Sequence, residues 1–163
     1  MEAAETANSE HVECVSEAAA QILSATCGVT IEPLAEAEDL ASGNVIIGII
    51  SLVGDVEWSV FLGMPSETAV ATALKFAGFE IPFDSEDMGD AVGEMTNMLA
   101  GQMKLNLDQK GVRADISLPS VIRAENMTVL VQKQNSVDKI CFTSELGKFW
   151  TGVTVGHSPG VVA

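Results

Sequence analysis

Positive charge is scarce in this 163-residue chain, with 8 Lys and Arg against 23 Asp and Glu and a formal net charge of −15. Nucleic-acid binding needs clustered cations to neutralise phosphates, so that class is excluded. An anionic membrane surface is excluded on the same ground. No run reaches the roughly 18 continuous apolar residues of a membrane span. The acidic start, MEAAETANSEHVE, lacks the basic and apolar regions of a signal peptide. Three cysteines, Cys14, Cys27 and Cys141, are an odd number without paired spacing. Reduced thiols in a cytoplasmic protein are the expectation. His11-x-x-Cys14 would make half of a metal site, but the chain has no second His/Cys pair to complete it.

What is present is a chain with 47% hydrophobic residues, long enough for one domain with a real core. A single domain over 9–156 is expected, with mobile tails at 1–8 and 157–163. Ser9 suits an N-cap, and Val12, Val15, Ala19, Ile22 and Leu23 recur at helical spacing, so a helix is expected from Ser9 to Thr26, ended by Gly28. Strand-like runs follow at Val29–Glu36, Val45–Val53 and Val56–Leu62, with Gly54-Asp55 marking a hairpin. A short helix is expected over Ser66–Ala77. A long one begins at an Asp84 or Ser85 cap and closes at Lys110-Gly111. Further strands are expected at Val112–Leu118, Met127–Gln134 and Lys139–Glu145, and one more at Phe149–Val155.

The two Gly-Val helix endings, "CGVTIEPL" and "KGVRADISLP", hint at a repeat of one helix followed by about three strands. The fold class expected is α+β: an antiparallel sheet with two long helices packed on it, in a pseudo-two-fold arrangement.

The long helix contains "DAVGEMTNMLAGQMK", Asp90 to Lys104. At 100° per residue, Met88, Val92, Met95, Leu99 and Met103 form one apolar face. Asp90, Glu94, Asn97, Gly101, Lys104 and Asp108 fall on the other. An arbitrary polar helix face is usually just solvated. Here Asn97, a poor helix former, sits mid-helix, and Gly101 leaves a gap one turn beyond it. Glu94 and Asn97, three apart, project side by side. This is the pattern of a surface meant to be approached closely. Gly93 lies sideways to the stripe, where packing within the fold is the favoured reason for it.

These residues resemble the CheX/CheC/FliY family of bacterial chemotaxis phosphatases. That family's signature is Asp or Ser, three residues, Glu, two residues, Asn, then Pro some twenty-one or twenty-two residues on. The chain supplies Asp90, Glu94, Asn97 and Pro119, the last within "ISLPSVI". Glu-x-x-Asn by itself is uninformative, since Glu5 and Asn8 make a second copy with Met1 and Thr30 at the flanking positions. "IIGIISLVGDVEWSVFLGMPSETAVATAL" is similar to the family's hairpin and following helix, although Trp58 stands where members often have Gly. The segment between Ile122 and Asn126 is short. CheC-like members carry a Glu/Asn pair in each half, and CheX-like members carry one. Aligning Gly28 with Gly111 sets His11 against Glu94 and Cys14 against Asn97, so a single site and the CheX-like branch are indicated.

The resemblance implies hydrolysis of the aspartyl phosphate on a CheY-like response-regulator receiver. Asn97 would orient the attacking water and Glu94 would pair with the receiver's lysine. Mg²⁺ would come with the receiver, and the protein would need no cofactor of its own. Asp90, Gly101 and Lys104 would contact the partner, and Pro119 would shape a strand edge. A homodimer is also implied. The competing reading is a non-catalytic module that binds a receiver or flagellar-switch component and acts by sequestration.

Overall fold

In the computed structural model, residues 10–131 and 136–156 are described. The expected tails, Ser9 as N-cap, and His157 lie outside them.

The element order is α1 (Glu10–Cys27), β1 (Glu32–Pro33), β2 (Asn44–Gly54), β3 (Glu57–Pro65), α2 (Ser66–Ala77), α3 (Glu86–Asp108), β4 (Ala114–Ile116), β5 (Ser120–Glu125), β6 (Asp138–Ser144) and β7 (Gly147–Val155). The strands form one sheet in the order β1-β6-β7-β3-β2-β4, with β5 also paired to β2. Every pairing among the described residues is antiparallel. This is the α+β architecture expected from the sequence. The halves are unequal: α2 follows only the first, and the second divides its leading strand into β4 and β5.

The three helices lie on one face. Val15, Ala18, Val92, Met95, Leu99 and Met103 interlock there with Ile46, Ile50, Leu52, Val60 and Phe149, all at most 2% exposed. The opposite face holds a smaller cluster of Ile47, Phe61, Cys141 and Trp150, partly covered by Leu34, Leu40, Met127 and Val129. Burial on both sides explains why β2 reads as an almost unbroken apolar run rather than an alternating one.

Helix ends follow the sequence closely. Ser85 caps α3 by accepting from the Met88 N–H at 3.3 Å, with Glu86 and Asp87 in the first turn where the helix dipole favours carboxylates. At the other end Gly111 adopts φ 77°, and the Val112 N–H returns to the Leu107 carbonyl at 3.0 Å.

Three strand expectations need correction. The run Val29–Glu36 yields only Glu32–Pro33, because this edge follows β6 for two paired residues before leaving through the Leu34 N–H to the Cys141 carbonyl at 2.8 Å. Val112–Leu118 shortens to Ala114–Ile116, since the chain bulges just before Pro119. Among the described part of Met127–Gln134 (127–131) there is no strand. Met127 and Val129 instead lie over the outer sheet face, and the pairing partner of β2 is the unexpected β5. Apolar content had marked this loop as a strand, but its side chains cover a sheet face rather than extend an edge.

Candidate active site

The register of β2 with its edge partners creates the site. Ile116 stands opposite Leu52 and Ser120 opposite Ile49, so three residues, Ser117 to Pro119, face only two, Ile50 and Ser51. This is a β-bulge, and Pro119, which has no N–H to give a ladder, sits at its end. The bulge is pinned on its other side. The Ser117 N–H donates to the Ser51 carbonyl at 2.9 Å, the Ser51 N–H donates to Ser117 Oγ at 3.0 Å, and Ser117 Oγ donates to the Leu118 carbonyl at 3.1 Å.

Beyond the bulge β5 runs antiparallel to α3. Arg123 donates from one guanidinium nitrogen to the Ser85 and Phe83 carbonyls, at 2.9 and 3.0 Å, at the start of α3. Val121 comes next along the helix. A Cβ built on Gly93 would stand 3.5 Å from Val121 Cγ2, an ordinary contact. Between helix and strand lies an open groove lined by Gly89, Asp90, Gly93, Glu94 and Asn97 on one wall and Leu118, Pro119 and Val121 on the other.

The tertiary structure therefore brings Asp90, Glu94, Asn97 and Pro119 to one groove. Asp90 and Glu94 are exposed and Asn97 is half-buried. Their side chains make no hydrogen bond or ion pair with another described residue. Two carboxylates give one wall negative charge, and the amide beside them offers both a donor and an acceptor. Among the described residues no group of three or more His, Cys, Asp or Glu stands close enough to hold a metal ion.

Gly101 and Lys104 do not line this groove. Gly101 is half-buried, and a Cβ there would meet nothing within 4 Å. Lys104 reaches the Ala114 carbonyl and approaches Asp115 at 3.6 Å, in a separate polar recess with Asp55, Asp108 and Arg113.

Two supporting residues escaped the sequence reading. A Cβ on Gly48 would fall 1.8 Å from Thr96 Oγ1. Thr96 is fully buried and donates to the Val92 carbonyl at 2.7 Å. The helix next to Asn97 therefore rests directly on the backbone of β2, which only glycine allows. The visible signal was a glycine inside an apolar strand, a mark of close approach.

A family profile described as "Chemotaxis phosphatase CheX" matches residues 46–143, more than half of the chain. The chain belongs to the CheX family. A curated relative, the CheY-P phosphatase CheX of Thermotoga maritima, is 28% identical over 85 residues, covering 52% of this chain and 55% of the relative. The chain thus matches about half the length of that relative. Among solved structures, the chemotaxis protein CheX from Vibrio vulnificus has a TM-score of 0.79 at 22% identity, over 91% of this chain and 100% of that one. CheX in a CheX–CheY–BeF₃–Mg²⁺ complex from Borrelia burgdorferi has a TM-score of 0.69 at 22% identity, over 91% and 99%. At these identities the structures establish the shared CheX fold.

The other long helix, α1, differs at the corresponding positions. At the positions aligned with Glu94 and Asn97, His11 pairs with Asp138 and tilts over Trp58 at 5.9 Å, and Cys14 is buried with Sγ 3.8 Å from the Met103 carbonyl. Burial pushes the Cys14 thiol up from 9.0 to about 11, so it stays protonated and unreactive at neutral pH. Trp58 has a place in this packing: it is buried under the first turn of α1. Among the described residues no helix is long and apolar enough to cross a membrane.

Proposed function

We propose that this protein is a phosphatase for the aspartyl phosphate of a CheY-like receiver. The observation that carries the reading is the convergence of Asp90, Glu94, Asn97 and Pro119 on one open groove. Membership of the CheX family and the relative named a CheY-P phosphatase support it. The Borrelia complex supports a receiver bringing its own Mg²⁺.

In this reading the receiver's phosphoryl group enters beside Asn97. A water oxygen bonds to phosphorus while the bond to the aspartyl oxygen breaks. The aspartate leaves as a carboxylate, and the water's protons pass to phosphate or solvent. Asn97 is neutral, so phosphoryl oxygens do not repel it as they would a carboxylate. Its amide holds the water in line, a positioning effect of the kind that dominates phosphoryl transfer. Glu94, exposed and without a protein partner, pairs with the receiver's lysine in a charge-assisted contact. Asp90, one turn earlier, adds to that negative wall. Gly101 leaves room for the partner one turn beyond Asn97, and Lys104 contributes from its separate recess. The unit at work is a single domain over 9–156 in the cytoplasm, as a homodimer. Light scattering that shows only a 17.1 kDa species at working concentration removes the dimer.

The test is the decay of a phosphorylated receiver from the same genome with catalytic amounts of wild-type protein and of Asn97→Ala. A wild type that clears an excess of phosphate, and a variant that binds without clearing it, support the reading. Binding by both proteins at an unchanged decay rate leaves only a sequestering module.

A further inference from the structure

We propose that Leu118, turned outward by the β-bulge, is the apolar anchor on which the phosphorylated receiver docks. The inference deepens the phosphatase reading and rests on it for the partner's identity.

Leu118 is 90% exposed although it lies between two strands that both pair with β2. On an unbroken strand position 118 would fall opposite Ile50, on the helix-covered face with Ile116 and Val121. The extra residue removes it from that face. Its backbone is nonetheless held. Ser117 fastens the preceding residue to Ser51, its hydroxyl donates to the Leu118 carbonyl, and Pro119 restricts Leu118 to an extended conformation. A large apolar side chain is thus displayed on a fixed backbone, at the mouth of the groove that holds Glu94 and Asn97. Pre-organisation of this sort reduces the ordering cost of binding. An apolar side chain next to charged groups is how interfaces exclude water and strengthen the polar contacts they surround. Pro119 and Val121 line the same wall, and Leu118 is the large apolar side chain that stands clear of it. The partner it fits presents a cation towards Glu94 and an apolar hollow close to its phosphorylated carboxylate.

A second leucine provides the control. Leu130 is 87% exposed, on the loop whose Val129 packs over the opposite sheet face. Loss of non-specific stickiness would affect both leucines alike.

The experiment titrates the same-genome receiver, activated with beryllofluoride and Mg²⁺, against wild type, Leu118→Ala, Leu118→Asp, Leu118→Met, Leu130→Ala and Asn97→Ala. Turnover is measured in parallel. Leu118→Ala is expected to raise Kd and KM about tenfold, or about 1.4 kcal/mol, with kcat within about twofold. Leu118→Asp is expected to weaken binding further, and Leu118→Met to stay within about threefold of wild type. Leu130→Ala is expected to match wild type. Unchanged binding by both Leu118→Ala and Leu118→Asp overturns the anchor, as does an equal loss in Leu130→Ala. If Asn97→Ala is inactive while Leu118→Ala binds normally, the anchor fails and the catalytic reading stands. If Leu118→Ala binds weakly while Asn97→Ala turns over normally, the anchor stands and the role of Asn97 fails.

Discussion

The two long helices lie on the same sheet face and end in the same Gly-Val turn, yet they differ at the aligned positions. On α1 the aligned positions are occupied by His11, 13% exposed and paired with Asp138, and by Cys14, buried against the α3 backbone. On α3 they are Glu94 and Asn97, which have no partner among the described residues and face a groove. The neighbouring strands differ too. The strand beside α3 bulges at Ser117–Pro119 and opens a gap. Asp138, at the start of β6, reaches His11 and closes the corresponding place on α1. On the proposed reading, a site of this type needs more than the right two residues on a helix. Their polar atoms must be left unsatisfied by the protein, and the adjacent strand must stand clear.

The largest effect should come from removing that difference at its chemical centre. Asn97→Ala is expected to lower receiver dephosphorylation by about 10²–10³-fold, the usual result of deleting one preorganised hydrogen-bonding group, with receiver binding retained. Single-turnover decay checks it. Gly48→Ala attacks the seat of α3 instead. The new Cβ must displace Thr96, at an expected cost of about 1–3 kcal/mol in urea unfolding. Thr96→Ala in the same chain should recover part of that loss, a coupling that a double-mutant cycle measures.

On the closed helix, pH provides the contrast. The folded thiol of Cys14 titrates near 11 and the unfolded one near 9.0, with burial the main cause. The unfolded chain therefore loses its proton first. Stability is unaffected by this group below pH 9 and falls between pH 9 and 11, by up to about 2 kcal/mol. Urea midpoints at pH 8 and pH 10 should diverge less in Cys14→Ala than in wild type. The smallest effect belongs to Gly101→Ala. A methyl there meets nothing within 4 Å, so the helix should gain about 0.5–1 kcal/mol. If the partner approaches this stripe closely, the stabilised variant turns over receiver more slowly, and thermal melts with a parallel decay assay show both changes.

Sequence by itself determined the α+β class, the span and capping of α3, and its apolar face of Met88, Val92, Met95, Leu99 and Met103, all of them buried. These are local properties, set by helical periodicity and by the chemistry of Ser85 and Gly111. The spacing of Asp90, Glu94 and Asn97 was legible for the same reason: residues on one helix face are neighbours whatever the rest of the chain does. Only tertiary structure decided how a bulge carries Pro119 to their groove, that β5 exists, that Gly48 admits Thr96, and that Lys104 belongs to a different recess. Each of these depends on strand register. Register follows from which edge pairs with β2 and from one inserted residue at Ser117–Pro119, a change that turns alternate side chains to opposite faces. Side-chain pattern along the chain carries no record of that pairing, because an apolar run such as Met127–Val131 looks the same whether it forms an edge strand or covers a sheet face.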